Sequence, residues 1–196
     1  MRDRPRPLIV ELGTIRSYTH GGLPGCNSDD LTAWTPTVPK NWDWGAGCFS
    51  RMAAECLGDL NPIIHTVDVA ASHVQRCKRI TQEFAHLFRY NVADSTQFLR
   101  SVRGPIDLLY LDTGDMTPIE PTARHQLHEA RAVVSRDLMA HGGVVLLDDV
   151  RNQTPRTFGD GSGLGKSKYA LPYLLRHGFQ LDMDEYQVLL VRRVGQ

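Results

Sequence analysis

Apolar residues gather along this chain in two alternating spacings. Five short runs are apolar almost without interruption: PLIVEL (7–12), PIIHTV (62–67), LFRYNV (87–92), IDLLYL (106–111) and GVVLL (143–147). Such runs suit strands covered on both faces, as in a parallel sheet. Between them apolar positions recur at helical spacing. Phe49, Met52, Ala53, Cys56 and Leu57 follow i, i+3, i+4, i+7, i+8, and Val74, Cys77, Ile80, Phe84 and Leu87 do much the same. Ala123, Leu127, Ala130, Val134 and Leu138 predict a helix over 119–140 that stops at His141-Gly142-Gly143. KYALPYLLRHG reads as a further helix despite Pro172. FQLDMDEYQVLLVRR reads as two strands joined by a tight turn around Asp182–Glu185. The alternation predicts an α/β fold: a seven-stranded, mostly parallel sheet with helices on both faces and a C-terminal antiparallel hairpin.

One stretch resists this reading. Residues 14–44 are rich in Gly, Pro and Asn and show no usable period. A structureless connection of that length is more often a functional lid than filler. All three tryptophans, Trp34, Trp42 and Trp44, sit at or near it, where they either exclude water from a site or pack in the core.

Composition narrows the class. A chain of 196 residues suits a single domain, 1–196, with residues 14–44 as an inserted lid-like loop. Its 22 basic and 22 acidic residues cancel, which gives no electrostatic footprint for nucleic acid or an anionic membrane. MRDRPRP is locally basic and reads as a solvated tail; the LIVEL behind it is too short for a signal peptide or a membrane span. The cysteines, Cys26, Cys48, Cys56 and Cys77, form no CxxC pair; Cys48 and Cys56 fall in apolar helical patterns and read as buried free thiols. A reduced, cytoplasmic setting is expected.

The chemistry gathers where the strands end, which is where open parallel sheets bind ligands. Glu11-Leu12-Gly13-Thr14 follows the first run, Asp68 the second, Asp94-Ser95 the third, Asp112 and Asp115 the fourth, Asp148-Asp149 the fifth. Any one of them suits a cap or a turn. As a set they suit a binding edge. A carboxylate at the second strand end can accept from both hydroxyls of a ribose, and Gly45-Ala46-Gly47 stands 21 residues before Asp68, close to the dinucleotide-binding interval. The long segment separates those glycines from the first strand, so a plain GxGxxG fingerprint is absent.

VELGT, IHTVDVA, NVADSTQFL, IDLLYLDTGD and GGVVLLDDV resemble, in order and spacing, the successive motifs of class I S-adenosylmethionine-dependent methyltransferases. LDTGDM and LLDDV resemble elements of macrocin-type sugar O-methyltransferases and, more distantly, the metal site of catechol O-methyltransferase. The resemblance implies a Rossmann-like fold and S-adenosyl-L-methionine as cofactor. Glu11 and Gly13, with Thr14, Gly45 and Gly47, would serve its methionine end. Asp68 would hold its ribose, while Asp94 and Ser95 would lie beside its adenine. Asp112, Asp148 and Asp149 would match the family's metal ligands, Asp112 also bordering the cofactor. Three converging carboxylates raise one another's pKa unless a cation joins them, and Mg²⁺ or another divalent ion is the natural guest. The alternatives are that one of Asp148 and Asp149 caps the loop and the other faces solvent, or that the cofactor binds without any metal and Asp115 alone takes the proton.

The expected activity is metal-assisted O-methylation of a small-molecule hydroxyl, with Asp115 and Asp112 catalytic and Asp115 the base. His125 and His128, one helical turn apart, are the next candidates. No Cys or Ser stands in a nucleophile arrangement with a base. Sugar, phenol and amino-acid hydroxyls all fit as acceptors, and a homo-oligomer is compatible with the resemblance. Rival readings are an NAD-type oxidoreductase and a catalytically silent cofactor-binding module. GDGSGLGKSK (159–168) lacks the first glycine of a phosphate loop. It reads as a solvated loop, with Arg151, Arg156, Lys166 and Lys168 near the mouth of the site.

Overall fold

A computed structural model describes residues 6–19, 34–43, 48–150 and 163–193. Its strands are β1 (Leu8–Leu12), β2 (Ile63–Asp68), β3 (Phe88–Val92), β4 (Ile106–Leu111), β5 (Met139–Leu147), β6 (Phe179–Asp184) and β7 (Val188–Arg192). They form one sheet in the order β3-β2-β1-β4-β5-β7-β6. The first five run parallel; β7 pairs antiparallel with both β5 and β6, so it alone is reversed. An ordinary dinucleotide-binding sheet continues in parallel as 3-2-1-4-5-6. The reversed strand wedged before the edge separates this chain from that order.

Alternation along the strands sends side chains to two layers of helices. Val10, Leu12, Leu109, Leu111, Val145 and Leu147 pack against α3 (Ser95–Ser101), α4 (Ile119–Ser135) and α5 (Ala170–Arg176). Ile9, Ile64 and Tyr110 face α1 (Phe49–Leu57), where Phe49 stacks on Tyr110. Cys77 and Ile80 of α2 (Ala71–Ile80) join Ile15, Tyr18, Trp42 and Cys48 in a third cluster. The described parts of 14–44 are therefore packed in. Trp42 is 2% exposed, donates from Nε1 to Thr35 O at 2.8 Å and stacks with Trp34, so it serves the core and does not shield a site. Trp44, Gly45, Gly47 and Cys26 lie outside the described residues.

Three expectations are corrected. The helix expected over 119–140 ends at Ser135, and Met139–Gly142 begin β5. There the register shifts between Ile106↔Met139 and Leu108↔Val144, and a Cβ on Gly143 would meet Ala140 O at 2.8 Å and Ile106 O at 2.9 Å. The two glycines thus make an irregularity inside a strand, not a helix stop. The short helix α3 carried too few residues to show a period. Cys56 is exposed, whereas Cys48 and Cys77 are the buried thiols, both pushed up to about 12 chiefly by burial.

Candidate functional site

A cavity of about 370 Å³ opens at the carboxyl ends of β1, β2, β3 and β4. Gly13, Thr14, Asp68, Asp94, Ser95, Asp112 and Asp115, all singled out from sequence, line it together with Arg16, His73 and His125. Gly13 shapes its floor. With φ +83° it holds the left-handed turn leaving β1, and a Cβ there would lie 2.4 Å from Asp112 O. Only glycine lets the chain pass so close to the end of β4.

The β2–β3 side is held by backbone donors. Asp68 Oδ1 accepts from Ala70 N at 2.8 Å, and Oδ2 accepts from Thr14 N at 3.2 Å, with His73 Nδ1 also 3.2 Å away. Lone pairs remain on the carboxylate for ribose hydroxyls. Asp94 caps α3, its Oδ1 accepting from Gln97 N at 2.9 Å, and bonds from Thr96 and Gln97 hold its carboxyl below the usual range. Capping and cavity lining coincide at Asp94. Thr14 Oγ1 is buried beside the Glu11 carboxylate, whose pKa it lowers together with the Ser50 and Thr66 hydroxyls.

Ser95 departs from expectation in its surroundings. Its Oγ donates to the fully buried Glu129 and lies 2.8 Å from His125 Nε2. Serine and histidine do meet, then. Glu129, however, approaches the same ring nitrogen at 3.3 Å rather than the opposite one, so the relay needed to activate a serine is not built. The bond to Glu129 raises the pKa of His125 against the effect of burial. His128 does not line the cavity.

Glu11 is corrected. It is fully buried beneath the cavity, not part of its lining. It accepts from Ser50 N at 3.2 Å, from Ser50 Oγ and from Thr66 Oγ1 at 2.5 Å, tying α1 and β2 to β1. Burial pushes its carboxyl up to about 7, with the Ser50 and Thr66 hydroxyls pulling the other way.

On the β4–β5 side the acids do converge. One oxygen each from Asp112, Asp148 and Asp149 lies within 4.8 Å of the others. Asp149 reaches this position with φ +52°, a left-handed conformation uncommon for a residue with a side chain. A cation is already present. Lys166, on the turn Gly165–Ser167, places Nζ 2.6 Å from Asp112 Oδ1 and 2.8 Å from Asp149 Oδ2. Gln187 Nε2 donates to Asp148 Oδ1 at 2.7 Å, and Tyr186 OH donates to Asp149. The oxygen set is one a divalent ion would choose, but such an ion, about 2 Å from each carboxylate, would collide with the ammonium or repel it strongly. With Lys166 in place the triad does not fit a metal.

Sequence reasoning expected Lys166 in a solvated loop; it is 1% exposed. Burial lowers its pKa, but attraction and hydrogen bonds from Asp112 and Asp149 outweigh this and leave it raised. Asp112 is pushed up to about 8, first by burial and then by Asp148 and Asp149, against the pull of Lys166. Asp115, in contrast, is 63% exposed and paired with Arg16 at the cavity mouth. Lys168 pairs with Glu120 at 2.7 Å; Arg151, Arg156 and residues 159–162 lie outside the described residues. No described helix is long and apolar enough to cross a membrane.

No protein-family model and no curated protein matches the chain. Solved structures do. The S-adenosylhomocysteine-bound methyltransferase PaMTH1 of Podospora anserina superposes with a TM-score of 0.57 at 14% identity, covering 99% of this chain and 74% of that one. A putative O-methyltransferase from Klebsiella pneumoniae gives 0.51 at 14% identity, over 95% of this chain and 73% of that one. TrmN from Thermus thermophilus gives 0.52 at 15% identity, over 98% of this chain but 46% of its own length. At such identity the likeness is one of architecture. The chain has the fold of the class I S-adenosylmethionine-dependent methyltransferases.

Proposed function

We propose that this protein transfers a methyl group from S-adenosylmethionine to a hydroxyl of a small-molecule acceptor. The observation that carries the reading is the division of the cavity, with Asp68 and Asp94 at one side and Asp112 and Asp115 at the other. When bound, S-adenosylmethionine supplies a methyl group on a positively charged sulfur, and alignment with the acceptor then accounts for most of the rate. Asp68 accepts from two ribose hydroxyls with the lone pairs that Ala70 and Thr14 leave free. Asp94 and Ser95 flank the base, and Thr14 stands near the methionine end. Asp112 presents its carboxyl group to the acceptor's hydroxyl. Asp115 takes the acceptor's proton, with Arg16 holding its side chain at the mouth. The balanced charge of the chain supports a small acceptor over a polyanion.

Calorimetric titration with S-adenosylhomocysteine tests this. Binding is expected, and Asp68→Ala is expected to weaken it by about tenfold to a hundredfold, the loss of charge-assisted bonds. An affinity unchanged by Asp68→Ala, or binding of NAD with none of S-adenosylhomocysteine, overturns the proposal.

A further inference from the structure

The β4–β5 triad gathers three carboxylates, and the sequence supplies its own cation for them from 17 residues beyond the last. We infer that the ammonium of Lys166 is the resident cation of the Asp112–Asp148–Asp149 triad, so that the site works without a divalent metal. The geometry bears this out at two of the three carboxylates. Lys166 Nζ bridges Asp112 and Asp149 at 2.6 and 2.8 Å, the bridging place a metal would take. The remaining acid, Asp148, is satisfied by Gln187, and Tyr186 supplies a second donor to Asp149. Lys166 itself is 1% exposed, and the neighbouring Ser167 Oγ donates to the buried Gln126 at 2.6 Å, holding the turn in place. A lysine is rarely buried to this degree unless paired, and here the pairing is with the acids in question.

Lys166 does not line the cavity; Asp112 does. Lys166 is therefore a positioning residue. It fixes the Asp112 carboxylate at the cavity edge and offsets the charge behind it. An acceptor oxygen meets one carboxylate held by an ammonium, not the two open coordination positions of a metal. This favours acceptors with a single reacting hydroxyl, whereas a vicinal diol or catechol gains nothing from its second oxygen. That consequence for acceptors rests on the methyl-transfer reading; the absence of a metal requirement rests on the triad alone.

Manganese provides the test, because Mn²⁺ binds oxygen sites and free Mn²⁺ is counted directly by electron paramagnetic resonance. Metal-stripped wild-type protein is expected to show no saturable Mn²⁺ binding below about 1 mM. Lys166→Met removes the resident cation from the triad and is expected to gain Mn²⁺ affinity of at least about tenfold, lost again when Asp149→Asn is added. A lysine with a merely structural role would not create a metal site when removed. Tight Mn²⁺ binding by the wild type that Asp149→Asn abolishes overturns the inference, as does a folded Lys166→Met that gains nothing. Should Lys166→Met fail to fold, the wild-type measurement decides by itself. S-adenosylhomocysteine binding is followed in the same samples. Its failure would sink the methyl-transfer reading and leave the manganese result standing.

Discussion

The two sides of the cavity use the same residue type under opposite conditions. At the ends of β2 and β3, Asp68 and Asp94 are met by the backbone N–H groups of Ala70 and Gln97, which the turn into each helix leaves without partners, and Asp68 also by Thr14 N from the exit of β1. At the ends of β4 and β5, Asp112, Asp148 and Asp149 crowd one another and are met by side chains from distant segments: Lys166, Tyr186 and Gln187. The first arrangement is largely local, built by the chain that follows each strand, with Thr14 N the backbone donor that comes from elsewhere. The second exists only when three separate parts of the fold have assembled. Aspartate at a strand exit is thus cheap to hold where helix starts supply donors, and costly where acids face acids.

The sharpest way to break this contrast is to remove the distant cation. Lys166→Met leaves buried carboxylates uncompensated and is expected to cost about 3–5 kcal/mol of stability by urea denaturation, recovered in part on adding Mn²⁺. Next comes Glu11, a carboxylate met by neutral donors alone. Its folded pKa of about 7 lies above the ordinary 4.5, so between those values the folded state binds more protons than the unfolded one. Stability is therefore expected to fall as pH rises from 4.5 towards 7, by about 3 kcal/mol, and Glu11→Gln should flatten that slope in denaturation curves taken across the range. A curve for Glu11→Gln that keeps the wild-type slope would assign the dependence to another group. The smallest effect belongs to the local side: Asp94→Ala removes one cap and is expected to cost about 1 kcal/mol while leaving the β4–β5 acids and their Mn²⁺ response unchanged.

Much of the frame was legible because buried parallel strands are written as apolar runs. IDLLYL coincides with β4, the run over 62–67 is shifted from β2 by one residue, and the run over 87–92 starts one residue before β3. The hairpin was legible from its patterning too, with its turn three residues later than expected, at 185–187 rather than around Asp182–Glu185. What failed has physical causes. Met139–Gly142 lie in a strand because β4 offers a neighbour at Ile106, and pairing with a partner is invisible to periodicity. Trp42 entered the core through contacts with Ile15 and Tyr18 on the far side of a patternless segment. On the site, the acids at the strand exits were visible, since position along the strand fixes them there. Glu11 was misplaced by one step of the strand's alternation: its side chain points beneath the cavity towards Ser50 and Thr66. The identity of the cation was missed because a glycine-flanked lysine reads as solvated, although three acids without any partner were a signal that some charge had to return to them.

The reversed strand has an effect that reaches past the shape of the sheet. Parallel strands only ever deliver their exits to the ligand-binding rim; their entrances lie on the opposite side. Because β7 runs backwards beside β5, with Val188 abreast of Leu147, the tip of the hairpin arrives at that rim instead. Tyr186 and Gln187 come with it, and Val150 N donates to Tyr186 O at 3.1 Å. Change confined to the hairpin turn can therefore retune the acids at the β5 exit, leaving every strand that builds the cavity untouched.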